Sequence, residues 1–249
     1  MNRDARAPLV LIPGLLCNEV LWAPQRAGLH DRADVWIPDI SRHASLPEAV
    51  EGILAEAPCE RFSLAGLSMG GYLAALAALR APHRVERLAL LNTRAHARET
   101  AAGRLRRTAQ IELARRDFPA LVEQLLPALL RPQALRDAAL AHTVRDMSLA
   151  LGAEVFIRQQ EANMNRPAIA AMLGRIDCPT WVIGADQDAI ASQESQHALA
   201  QSIASARLHV LRDCGHLSTL EHPGAVTQLL RQWLDSPSRQ PRSLQGATS

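Results

Sequence analysis

The apolar positions of this chain come in two spacings. Short continuous runs occupy 8–12, 35–37, 62–65, 85–91, 180–184 and 207–211, each bounded by proline, glycine or a polar turn. Runs of that length read as strands, buried on both faces where no polar residue alternates. Between them apolar residues recur at helical spacing. Val50, Ile53, Leu54 and Ala57 follow the capping box Ser45-Leu-Pro-Glu48, and an alanine- and leucine-rich run over 72–81 is stopped by Pro82. Residues 193–203 read as a further helix, and Val226, Leu229, Leu230 and Trp233 share one face behind Pro223. Strands alternating with helices predict a mostly parallel sheet covered on both sides.

Residues 94–175 break that alternation and are almost wholly helical in pattern. Leu121, Val122, Leu125, Leu126 and Leu129 mark one helix, and 134–151 reads as another. Gly152 separates it from a third at 155–164, and Pro167 opens a short fourth. The expected organisation is a core formed by 1–93 and 176–235, with 94–175 inserted in it. From 236 to 249 proline, serine, arginine and glutamine appear without apolar periodicity, which predicts a disordered tail.

Composition narrows the chemistry. With 249 residues, 48% of them hydrophobic, the chain can bury one large core. The formal net charge is +2 and the basic residues are scattered among acidic ones, so neither a nucleic-acid footprint nor a basic membrane surface is expected. Every basic residue besides histidine is arginine, and the absence of lysine removes Schiff-base chemistry and a phosphate-loop lysine. Cys17, Cys59, Cys178 and Cys214 are widely spaced with no Cys-x-x-Cys pair, which points to reduced thiols rather than a disulfide framework or zinc site. No apolar leader or membrane-length run is present, and a cytoplasmic protein is expected.

The stretch 61–72 contains Gly66-Leu-Ser-Met-Gly-Gly71, glycines flanking a serine between a strand and a helix. A nucleophilic serine must stand clear of its own backbone, and residues without side chains on either side supply the clearance. With a helix starting directly behind Ser68, the Met69 N–H points to where an oxyanion would form. A serine hydroxyl also needs a histidine to take its proton and an acid to orient that histidine. His216 lies in Asp213-Cys-Gly-His-Leu217 after the last strand, and Asp188 lies in the loop after the preceding strand, with Asp186 as its competitor. All three loops leave the carboxyl ends of parallel strands. His216, Glu221 and His222 match no zinc-protease spacing, so no metal is expected, and Cys17 and Cys214 read as apolar filler. Candidate substrate contacts are Leu16, Trp22, Arg158, Gln159 and Leu217.

Over 8–234 the sequence resembles the α/β-hydrolase family, with the family's order Ser, Asp, His. Gly66-Leu-Ser-Met-Gly-Gly71 resembles its elbow, Pro13-Gly-Leu-Leu16 its oxyanion loop, and Cys214-Gly-His-Leu217 with Glu221-His-Pro223 its histidine segment. The resemblance implies an α/β-hydrolase fold of about six strands, lacking the family's first two, with 94–175 as a helical lid. It makes Leu15 N–H the second oxyanion donor. It also favours Asp188 over Asp186, because Asp-Ala-Ile-Ala resembles the family's acid followed by an apolar anchor. Pro13 stands where His-Gly is commoner, Ser192 where a proline commonly follows the acid, and Asn92 argues against an acid after the sixth family strand. Small-lid esterases, 3-oxoadipate enol-lactonases and the pimeloyl-carrier-protein methyl ester esterase are similar. The expected activity is cofactor-free hydrolysis of a small ester, lactone or thioester through an acyl-enzyme. An acyltransferase with the same residues and a catalytically silent binding protein are the alternatives. A homodimer partner is one candidate to shield the open sheet edge.

Overall fold

A strand buried on both faces needs apolar side chains pointing both ways, and the middle of this sheet is built from such segments. In the computed structural model, which describes residues 6–95 and 100–238, six strands form one sheet. They are β1 (Ala7–Ile12), β2 (Ala33–Trp36), β3 (Phe62–Leu67), β4 (Val85–Leu91), β5 (Thr180–Ala185) and β6 (Ala206–Leu211). All pair in parallel, in the order β2-β1-β3-β4-β5-β6. The edge strands β2 and β6 carry exposed polar residues, among them Asp34 and Arg207.

The helices longer than one or two turns are α1 (Leu46–Glu56), α2 (Met69–Arg80), α3 (Ala101–Arg116), α4 (Phe118–Leu129), α5 (Ala138–Met164), α6 (Gln193–Gln201) and α7 (Pro223–Asp235). Successive strand side chains point to opposite faces. Val10, Ile12, Leu64, Leu88, Leu90 and Val182 therefore join one core layer, closed by Val50, Ile53, Leu73 and Leu199 of α1, α2 and α6. Leu9, Leu11, Ala65, Ala89, Leu91 and Ile183 join the other, closed by Val226, Leu230 and Trp233 of α7 together with Trp22. Between β4 and β5, the helices α3, α4 and α5 pack on one another around Ile111, Leu121, Val122 and Phe156. Leu16, from the loop after β1, inserts into that cluster and ties these helices to the sheet.

The strand order reverses beside β1 and β3, whose connections leave in opposite directions along the sheet. Crevices at such a reversal, outside the carboxyl ends of the strands, are where ligands bind in open α/β sheets. Register keeps those ends level, with Ile12 opposite Gly66, Leu67 opposite Leu91, and Ala185 opposite Leu211.

Several helix boundaries differ from the sequence reading for local reasons. The helix α2 begins at Met69, directly behind Ser68 as expected and ahead of the alanine- and leucine-rich run that starts at Tyr72. The helix α3 has no apolar stripe, since only Gly103, Ile111 and Ala114 are buried, and it starts because Thr100 accepts a hydrogen bond from Gly103 N. The helix expected over 134–151 starts at Ala138, where Asp137 Oδ1 accepts from Ala139 N and Leu140 N. Gly152 interrupts α5 as expected, with φ 81° and ψ 169°. Pro167 opens no helix of its own; the next helical turn is Ala170–Arg175. The tail expected to be disordered lies, from residue 239 on, outside the described residues. Among the described residues no helix is long and apolar enough to cross a membrane.

The junction of β3 and α2 has no spare volume. A Cβ on Gly66 would lie 2.1 Å from Gly70 O, and one on Gly70 would lie 2.3 Å from Ile12 O, both backbone atoms that cannot step aside. Gly70→Ala should therefore destabilise the protein by at least about 3 kcal/mol, the upper end for overpacking, or prevent folding. Urea denaturation of the purified variant measures this, and a loss below about 1 kcal/mol would mean the backbones are not in contact.

Candidate active site

At the turn from β3 into α2 the chain reverses direction within one residue, and Ser68 takes up the strain with φ 57° and ψ −115°. L-residues rarely adopt such backbone. It is held by Ser68 N donating to Leu91 O at 2.9 Å and by Thr93 Oγ1 donating to Ser68 O at 2.7 Å. The serine side chain is thereby lifted off the sheet toward a cavity of about 310 Å³ lined by Ser68, Met69, Gly14, Leu15, His216 and Leu217, among others.

Three side chains from three loops meet there. His216 Nδ1 lies 2.9 and 3.0 Å from the two carboxylate oxygens of Asp188, and His216 Nε2 lies 2.8 Å from Ser68 Oγ. An ionised carboxylate can only accept, so Nδ1 carries the proton, and the Nε2 of the neutral ring then accepts from the serine hydroxyl. Both His216 and Asp188 are buried.

Burial alone would push the Asp188 carboxyl up. It is outweighed by His216 beside it, by the His216 hydrogen bond, by Ala191 N–H and by the Asn92 amide, so Asp188 is held below the usual carboxylate range. Its Oδ1 accepts from Ile190 N and Ala191 N, both at 2.8 Å, and its Oδ2 from Asn92 Nδ2 at 3.0 Å. Asp186 does not reach the histidine; its Oδ1 accepts from Cys214 N at 3.2 Å and braces the loop that carries it.

Glu221 supports the same loop from beneath. Its carboxylate is fully buried, accepts from Gly215 N at 3.1 Å and Arg131 N at 3.3 Å, and lies 3.4 Å from Arg131 Nε. A Cβ on Gly215 would come within 2.4 Å of Glu221 Oε1, which accounts for the glycine before the histidine. His222 Nε2 instead contacts Asp213 O. Among the described residues no group of three or more His, Cys, Asp or Glu is disposed to hold a metal. Burial pushes the Cys17 thiol up to about 12 and raises Cys214 as well, so both stay protonated and poorly nucleophilic at neutral pH.

Leu15 and Met69 line the cavity beside Ser68. Among the described residues neither backbone amide has a hydrogen-bond acceptor, as expected for Met69 at the first position of a helix. The neighbouring Leu16 has φ 55°, and its N–H donates to Gln159 Oε1 at 2.8 Å. Gln159 thus reaches from α5 to the loop after β1 and does not line the cavity. Trp22 is fully buried in the core layer under α7, away from the cavity, and Arg158 Nε donates to Ser41 O at 2.9 Å. Leu16 and Leu217 do line the cavity.

Two residues at the site were not assigned a role from sequence. Asn92, at φ 47° and buried, donates to Asp188 Oδ2 and Gly215 O and accepts from Ser218 Oγ at 2.6 Å. Thr93 follows it and holds the elbow. The available signal was a polar pair at the end of an otherwise apolar strand, where a buried amide or hydroxyl must have partners.

A model of the α/β-hydrolase fold matches residues 7–223. The chain belongs to the α/β-hydrolase family. Among solved α/β-hydrolases, an esterase from Thermogutta terrifontis superposes with a TM-score of 0.85 at 28% identity, over 93% of this chain and 90% of that one. An enol-lactonase from Burkholderia xenovorans LB400 superposes with a TM-score of 0.81 at 26% identity, over 94% of each chain. The 2-hydroxy-6-oxononadienedioate/2-hydroxy-6-oxononatrienedioate hydrolase of Klebsiella pneumoniae is 32% identical over 80 residues, 32% of this chain and 28% of that protein. The match to that curated relative therefore spans less than a third of its length.

Because the Asp188 carboxyl is depressed in the folded state, its contribution to stability is present above the unfolded value near 4 and lost as pH falls through the folded one. The stability gap between wild type and Asp188→Asn should be constant above about pH 5 and shrink progressively below about pH 4. Urea midpoints from pH 3 to 7 measure it, and parallel curves throughout would mean that Asp188 gains nothing from its four contacts.

Proposed function

We propose that this α/β-hydrolase is a serine hydrolase cleaving a small carboxylic ester, lactone or thioester through an acyl-enzyme. The observation that carries the reading is the continuous hydrogen-bond chain from Asp188 through His216 to Ser68 Oγ, with every link between 2.8 and 3.0 Å. The similarity to an esterase and an enol-lactonase over nearly the whole chain supports ester and lactone chemistry.

In the proposed reaction, Ser68 Oγ attacks the substrate carbonyl carbon while its proton passes to His216 Nε2. Asp188 keeps the ring in the required tautomer and stabilises the imidazolium that forms. The carbonyl oxygen becomes an oxyanion between the Leu15 and Met69 amides, and a single donor of this kind is worth about 3 to 4 kcal/mol of barrier. His216 then protonates the leaving group, and water, activated by the same nitrogen, releases the acid and regenerates Ser68. Gln159 serves as a positioning residue: by holding the Leu16 amide it sets the strained loop so that the Leu15 N–H faces the carbonyl. The helices between β4 and β5 act as the lid, closing the cavity above Ser68 with Leu125, Ala128 and Leu129.

Ser68→Ala removes the attacking atom and leaves the fold untouched. Hydrolysis of p-nitrophenyl acetate and butyrate should fall by about 10⁴-fold or more in kcat, with an unchanged thermal melt. Undiminished hydrolysis by the folded variant would exclude Ser68 as the nucleophile.

A further inference from the structure

The loop that carries Asp188 leaves β5 at Ala185 and enters α6 through its cap, Ser192. Both of its ends are tied to one buried side chain. Gln196, in the first turns of α6, donates from Nε2 to Ala185 O at 3.1 Å and to Ala191 O at 2.6 Å. Carbonyl oxygens can only accept, so the two hydrogens of the amide account for the two bonds and its nitrogen must face the loop. Gln193 adds a second tie from the same helix, its Nε2 donating to Asp186 O at 3.3 Å.

The amide is kept at a cost. Gln196 Oε1 is buried and, among the described residues, has no hydrogen-bond partner. It lies against Gly184, where a Cβ would come within 1.8 Å of it, so an amide at residue 196 and a side chain at residue 184 exclude one another. A sealed oxygen without a donor is a loss that an apolar side chain would avoid, and the two donated bonds are what offset it. Those bonds lead to the acid. Ala191, which accepts from Gln196 at its carbonyl, donates from its N–H to Asp188 Oδ1 at 2.8 Å, and that oxygen lies 2.9 Å from His216 Nδ1. At the other end α6 is fixed by Leu199, buried in the core layer with Val182 of β5.

We propose that Gln196 is a positioning residue for Asp188: by fastening Ala185 and Ala191 to α6 it closes the base of the loop and aims the carboxylate at His216. The inference rests on the hydrolase reading above and adds a residue to the machinery behind its histidine. Gln196 touches neither Ser68 nor the cavity wall and acts only through the acid loop.

The test uses Gln196→Met, which keeps the length of the side chain and removes both donors, with Gln196→Asn, too short to reach both carbonyls, if the methionine variant does not fold. Hydrolysis of p-nitrophenyl acetate and butyrate at pH 7.5 should lose about 10- to 100-fold in kcat, the scale of a displaced catalytic group, with KM within about twofold of wild type. In an Asp188→Asn background the same substitution should change kcat by less than about twofold, because the group it acts through is already gone. A merely structural role lowers both backgrounds by the same factor. A folded variant with wild-type kcat, a loss carried by KM, or equal losses in the two backgrounds overturns the proposal. Proton NMR of the His216 Nδ1–H, assigned by its absence in His216→Gln, reads the same contact without substrate. If wild type hydrolyses neither ester, the hydrolase reading is what fails for these substrates, and the NMR then decides the positioning role alone. Faster exchange of that proton with water in the Gln196 variant supports it, and an unchanged resonance overturns it.

Discussion

Everything at this site depends on a close approach of backbones. The end of β3, the start of α2 and the loop after β1 are packed so tightly that a single methyl group at residue 66 or 70 would overlap main-chain oxygen atoms. Only because those positions are glycine can the chain turn from strand to helix at one residue. That residue, Ser68, is left with a left-handed backbone and a side chain standing free of the sheet. The same crowding sets the first amide of α2 and the loop of Leu15 beside the serine. Strain at Ser68 and the position of its two neighbouring amides thus share one cause.

The rest of the molecule holds that geometry by satisfying polar groups in places water does not reach. Asp188 is saturated by two backbone amides, the Asn92 side chain and His216. Asn92 in turn binds Gly215 and Ser218, and Glu221 clamps Gly215 from the other side. Each partner removed would leave another buried and unpaired, a loss of about 1 to 3 kcal/mol per group and more for a charge. The histidine loop is therefore rigid through a network and not through any single contact. Leu16 and Gln159 extend the same logic to the helices between β4 and β5, Gln159 through a buried hydrogen bond to the Leu16 amide and Leu16 through an apolar cluster.

Much of this was legible in the sequence, because its strongest signals are local. Continuous apolar runs gave the six strands nearly to the residue, and the glycine-flanked serine between a strand and a helix marked the elbow. His216 and the Asp186–Asp188 loop stood out because each follows a strand end, and parallel topology gathers those ends on one rim; Asp188 was preferred over Asp186 only through its resemblance to the family's acid. What escaped depends on contacts distant in sequence. Nothing near Arg158 or Gln159 says that one will bond the Ser41 carbonyl and the other the Leu16 amide, 143 residues away. Asn92 reads as a strand terminator until its amide is seen against Asp188. The helix α3 lacks the apolar stripe on which periodicity relies, so its cap at Thr100 was the only local clue.

The geometry at Ser68 is most directly tested by a crystal structure of the protein after reaction with a p-nitrophenyl alkylphosphonate, whose phosphoryl oxygen mimics the oxyanion. The expected result is a phosphorus–oxygen bond to Ser68 Oγ with the phosphoryl oxygen within about 3 Å of both the Leu15 and Met69 nitrogens. An adduct on another residue, or a phosphoryl oxygen turned away from those two amides, would contradict it.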